Sequence, residues 1–132
     1  MFDSHTKITK SKRGRVAATK MLMRLFELWR LTPNEKLLLL GLNENEYKYL
    51  NYYHTGEQAI SNNIDMLDRA GMLFSIHSML RVIFPENPVH AYGWMSAMNK
   101  ALNNQTPLDV VQEHHFTGLH MLVNHLTRLC NS

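Results

Sequence analysis

Phe84-Pro85-Glu86-Asn87-Pro88, then Asn103-Asn104-Gln105-Thr106-Pro107-Leu108-Asp109, is the stretch that decides the fold. It sets out two Pro-marked helix starts in order, with Trp94 between them. Proline is harmless at the first position of a helix, where the backbone N–H has no partner anyway. Asn87 and Thr106 supply the side-chain acceptors that exposed first-turn donors need. Asp109 adds an acid where the helix dipole favours one. Beyond it, Phe116, Leu119, Val123, Leu126 and Cys130 recur at spacings of 3, 4, 3 and 4, which predicts one buried helix face.

Working outward, the same logic holds toward the N-terminus. Leu22, Leu25, Phe26 and Trp29 share one face of a first helix over roughly residues 16–30. Thr32-Pro33-Asn34-Glu35 has a hydroxyl cap, a first-position proline and a glutamate able to bond back to the cap. That second helix ends at Gly41, which suits a left-handed turn. Asn43-Glu44-Asn45-Glu46 opens a third helix that runs to about Tyr53. The stripe Ile60, Ile64, Leu67, Gly71 and Phe74 predicts one long helix over roughly 57–84, bent at Gly71 and stopped by Pro85. Asn87-Pro88 then starts a short helix that reaches Met98 or Leu102. No segment alternates with period 2, so the expected class is all-α.

Composition bounds the function. The chain has 132 residues, 45% hydrophobic and 19% charged, as in ordinary globular domains. It has no apolar run long enough for a membrane span and no apolar signal region near its start, and its single cysteine excludes an internal disulfide. These features fit a cytoplasmic protein. Six basic residues and one acid fall in residues 1–20, against eight basic and ten acidic over the rest. The expected organisation is a flexible basic arm at 1–15, a helix-turn-helix-like domain at 16–55 and a second helical domain at 56–132. Lys10, Lys12, Arg13 and Arg15 of the arm are candidates for a phosphate backbone or a minor groove. A solvated tail is the alternative.

Chemistry-bearing sets are few. Gly41 is the ninth residue from Pro33, where a helix-turn-helix wants its glycine, with Leu40, Leu42, Tyr47 and Leu50 around it. In that unit Asn45, Lys48, Tyr49 and Tyr52 are the candidates for base and phosphate contact. Leu37 stands where a small residue usually lets the helices approach, and residues 33–53 hold two lysines against three glutamates. A plain packing hairpin is the competing reading. His115, His120 and His125 are five apart, which rotates successive rings by about 140° and rules out one shared ion on one helix. Cys130 on the apolar stripe reads as a core thiol. Trp94 reads as a core anchor or as the lining of a partner groove. No nucleophile elbow, phosphate loop, paired-carboxylate set or dinucleotide fingerprint is present. The residues therefore suggest no catalysis, no cofactor and no metal.

The Leu67–Phe84 stripe, the Trp94 helix, Thr106-Pro107-Leu108-Asp109 and the terminal helix together resemble the toxin-binding domain of Xre/MbcA/ParS-type antitoxins. Leu28-Trp29-Arg30-Leu31-Thr32 with Glu35, through Leu40-Gly41-Leu42, is similar to the helix-turn-helix half of the same proteins. Asn103-Asn104-Gln105 replaces the family's glycine turn, and Asn tolerates left-handed backbone next best. The resemblance implies a type II antitoxin that neutralises a partner toxin, commonly an NAD-consuming RES-domain enzyme, and whose complex represses its own operon. It implies a hetero-oligomer with the toxin and operator DNA as a second partner; nine methionines and the apolar stripes suggest a homodimer, and the lack of a long apolar run suggests no membrane partner. The C-terminal helices would cover the toxin's substrate entrance. Trp94, Thr106, Asp109, His125, Arg128 and Asn131 are the residues it places near that surface. A stand-alone transcriptional regulator whose C-terminal helices only dimerise is the alternative.

Overall fold

The computed structural model describes residues 10–132. Seven α-helices follow in order: α1 Lys12–Leu28, α2 Pro33–Leu40, α3 Lys48–Thr55, α4 Ile64–Ile83, α5 Pro88–Gly93, α6 Pro107–His114 and α7 Phe116–Cys130. The all-α expectation holds. Among the described residues the one β feature is an isolated bridge between Asn99 and Gln105.

The caps behave as their chemistry requires. Thr32 Oγ1 accepts from the Glu35 N–H while Glu35 Oε1 accepts from the Thr32 N–H. Thr106 and Asp109 repeat this reciprocal pair at α6. Asn63 and Asn87 cap α4 and α5. Gly41 (φ 69°) ends α2, and the Leu42 N–H donates back to the Leu37 carbonyl at 2.9 Å. A β-carbon there would also fall 2.6 Å from the Arg69 guanidinium, the movable end of a long side chain, so it is the left-handed conformation that selects glycine.

Four boundaries depart from the sequence expectation. α1 begins at Lys12, because Ser11 Oγ accepts from the Gly14 N–H. Lys12, Arg13 and Arg15 are thus in its first turn and not in a flexible arm; residues 1–9 of that arm lie outside the described residues. α4 begins at Ile64, and 57–63 is an irregular strap. Ile60 is fully buried in it, with its N–H donating to Thr19 Oγ1 and its carbonyl accepting from Arg15 Nη1. Ile60 matched the helical stripe because both kinds of residue are buried. α3 begins only at Lys48, because Asn43 opens the 3-10 turn Glu44–Glu46, and α5 ends at Gly93, short of Met98 or Leu102, where the 3-10 turn Trp94–Ser96 takes over; His115, with a φ of 55°, separates α6 from α7.

α4 is buried nearly all round and forms the axis of the molecule. α1, α2, α5 and α7 pack against it, and α6 packs on α7 and α2. One continuous apolar core runs from Ala18 through Leu126. The last helix contributes Leu119, Leu122, Val123 and Leu126, each worth roughly 1.5–3 kcal/mol of burial. Gly118 permits the α6–α7 approach: a β-carbon would sit 2.7 Å from the Val110 carbonyl oxygen.

Histidines fill the margins of the core by ring stacking. His77 lies against Tyr92 with ring centroids 6.2 Å apart, and His125 lies against Trp94 at 6.4 Å. Burial, then Arg81, lowers the His77 pKa. Burial, then Arg128, lowers that of His125. Burial and then Lys36 lower that of His54. In each case the neutral ring is the form that folding favours.

Three stability effects are expected from this packing. Gly118→Ala presses a methyl into backbone that cannot rotate aside and is expected to cost about 1–3 kcal/mol, read by urea unfolding. Thr106→Ala removes one cap bond and is expected to cost about 1 kcal/mol in the same assay. Because the unfolded chain binds more protons at these histidines, stability is full above the ordinary histidine pKa near 6.5 and is lost as pH falls through the lowered values. Tm is therefore expected to fall between pH 7.5 and pH 5, and His77→Phe is expected to flatten part of that slope.

Candidate functional site

Two surfaces at different places in the fold carry the sequence-nominated residues. The first is on α7. Its buried stripe leaves a second stripe facing outward: Thr117, Met121, Asn124, Arg128 and Asn131, spaced 4, 3, 4 and 3. Arg128 and Asn131, both nominated, are exposed on it. Met121 and Asn124 were missed, although the same helical spacing, offset from the apolar stripe, marks them. Leu129 is exposed beside this stripe at 45%.

The other four nominated residues on this side are more occupied. Trp94 is buried, 9% exposed, and its ring plane lies 14° from that of His125. It is chiefly a core anchor between the turn after α5 and α7. Thr106 and Asp109 use their side chains on each other's backbone in the α6 cap. Their main role here is to start a helix, and only Asp109 is exposed. His125 is half-buried, held between Trp94 and the Arg128 charge.

Cys130 is half-buried at the end of α7, its thiol donating toward the Met79 carbonyl at 3.9 Å. Burial raises its pKa, which keeps it as thiol and not thiolate. Among the described residues no group of three or more His, Cys, Asp and Glu side chains is placed to hold a metal ion. No described helix is long and apolar enough to cross a membrane.

The second surface is on α1 and α3. Lys48, Asn51, Tyr52 and Thr55 follow at i, i+3, i+4 and i+7 on the side of α3 opposite buried Leu50 and Tyr53. Lys48 and Tyr52 were nominated, and Asn51 was not. Tyr49 is turned into an aromatic cluster, 6.0 Å from Tyr52 and 6.4 Å from Tyr53, with the Lys48 ammonium 5.6 Å from its ring. Tyr49 therefore shapes this face more than it extends from it. Asn45 is exposed in the short 3-10 turn Glu44–Glu46 ahead of α3.

Of the four basic residues nominated near the start, Arg15 is committed to structure. Its guanidinium donates to the Lys10 and Ile60 carbonyls at 3.1 and 3.0 Å. Lys10, Lys12 and Arg13 are exposed.

Comparison with known proteins bears on the first surface. Residues 79–130 match the family described as the antitoxin Xre/MbcA/ParS C-terminal toxin-binding domain. No curated protein and no solved structure matches the chain. The matched span opens near the end of α4 and takes in α5, α6 and α7, so it contains the outward stripe of α7 except Asn131. The likeness to an Xre/MbcA/ParS-type toxin-binding domain is thus one of residues 79–130, about two fifths of the chain.

Proposed function

We propose that this chain neutralises an NAD-consuming, RES-domain toxin by seating the outward stripe of α7 over the toxin's substrate entrance. The observation that carries the reading is the family match itself, which ends at the last residue of α7. A rigid helix with a polar edge is suited to blocking an opening, because its own backbone hydrogen bonds are already made. Arg128 brings five fixed donors to carboxylates or carbonyls at the rim. Asn124 and Asn131 donate and accept on either side of it, and Met121 and Leu129 supply the apolar contact a protein partner needs. Trp94, His125, Thr106 and Asp109 act behind this surface by fixing where α7 and α6 stand. The chemistry belongs to the toxin, and this chain works by occupancy.

In the same reading, α2, the Gly41 turn and α3 form a helix-turn-helix that brings the complex to the operator of its own operon. Lys48, Asn51 and Tyr52 face the groove. Asparagine suits adenine, and lysine and tyrosine suit phosphates.

Co-expression with the toxin encoded beside it tests the first part. The wild-type chain is expected to restore growth and to co-purify with the toxin. Asn124→Ala/Arg128→Ala/Asn131→Ala changes only exposed side chains and is expected to weaken toxin affinity by at least ~10-fold, about 1.4 kcal/mol. Lys48→Gln/Asn51→Ala is expected to leave toxin binding unchanged. Full protection by the α7 triple variant overturns this assignment of the blocking surface.

A further inference from the structure

The stretch from Lys10 to Phe26 contains six basic residues and no acid. Most of it is helix α1, and the helix sorts these charges. Ala18, Leu22, Leu25 and Phe26 turn inward to the core. Arg13, Lys20 and Arg24 are exposed, and with Ala17 between them they follow spacings of 4, 3 and 4 along the outward edge. Lys12 extends the charge at the start of the helix. Arg15 takes no part, because it is tied to the Ile60 strap.

The edge continues onto α3. Lys20 and Arg24 line a hollow of about 320 Å³ with Tyr53, His54 and Gly56. On its far side the Lys36 ammonium lies 3.2 Å from His54 Nε2, which adds another cation to the same face. Glu27 is the one carboxylate among the residues lining the hollow. It meets Arg24 at 3.7 Å, with both side chains more than half exposed, so that pair competes weakly with an incoming anion.

We propose that this edge, Arg13, Lys20 and Arg24 continued by Lys36, is a rail for the phosphate backbone of duplex DNA, laid beside the outward face of α3. The inference rests on the DNA-binding part of the reading above and names the surface that supplies its electrostatic attraction. The α2–α3 unit cannot supply it alone, since residues 33–53 carry two lysines, Lys36 included, against three glutamates. Arg13 and Arg24 are eleven residues apart, roughly 16 Å along a helix, long enough for the edge to reach more than one phosphate of a passing strand. A row of cations held on a helix meets successive phosphates without ordering a tail.

The test compares the full-length wild-type chain with Arg13→Gln/Lys20→Gln/Arg24→Gln, both binding a labelled random-sequence duplex and a duplex from upstream of the chain's own reading frame. The triple variant alters exposed side chains only, and circular dichroism and toxin co-purification check that it folds. It is expected to lose at least ~10-fold in affinity for both duplexes, with the log–log salt slope smaller by about two to three. Lys48→Gln/Asn51→Ala is expected to reduce the preference for upstream over random DNA, with a slope change of about one. If the wild-type chain binds neither duplex, the DNA-binding part of the proposed function falls together with the rail. If it binds and the triple variant keeps its affinity and salt slope, the rail alone is wrong. If the triple variant is folded but loses the toxin, the edge belongs to a protein interface and the proposal is overturned.

Discussion

The rest of the structure depends on the burial of α4. It is apolar on nearly every side, so it cannot be a surface helix, and its neighbours exist to cover it. α7 runs along it, with Phe116 at Arg69 and Cys130 at Met79, and α1, α2 and α5 also pack against it. The charged exception is Arg69, 7% exposed. Its guanidinium pairs with Asp65 at 2.8 Å, points Nη1 at the Leu39 carbonyl and lies 5.4 Å from the Phe116 ring. One buried cation thus touches the end of α2, the turn at Gly41 and the start of α7. Charge buried this way is tolerated because its carboxylate partner stays half in water and its remaining donors have backbone and ring partners.

Much of this was legible in the chain. The starts of α2, α5 and α6, each a hydroxyl or amide cap followed by proline, were readable, because caps are local chemistry and need no tertiary context. The 3-and-4 spacing of Leu119, Val123 and Leu126 found the buried face of α7 for the same reason. What the sequence hid was settled by distant contacts. Ile60 fits a helical stripe but is held as an irregular strap by Thr19 and Arg15, more than forty residues away in sequence. The break at His115 has no glycine or proline to announce it. Its backbone bends because α6 and α7 must fold back on one another over Gly118.

The candidate surfaces were legible in part. Arg128, Asn131, Lys48 and Tyr52 could be chosen from residue type and helix position, and all sit on outward faces. Thr106 and Asp109 carry the family pattern but serve the cap, and a motif alone cannot separate a residue that contacts a partner from one that builds the contacting element. Trp94 is similar: its size makes it attractive as an interface anchor and also makes it the natural filler between the turn after α5 and α7. The basic residues near the start were readable as charge but not as geometry. Only the Ser11 cap, which moves the helix start to Lys12, turns that charge into an ordered edge.

The strap at 57–63 joins the α1–α3 region to α4 without being a tether. Because the backbone of Ile60 is fastened to α1 at both its N–H and its carbonyl, the connection has no slack. The outward faces of α3 and α7 are therefore held at one fixed angle, like two jaws cast in a single piece. A large body seated on one of them has its orientation dictated for whatever engages the other, and two such bodies either fit the chain simultaneously or exclude each other by shape alone.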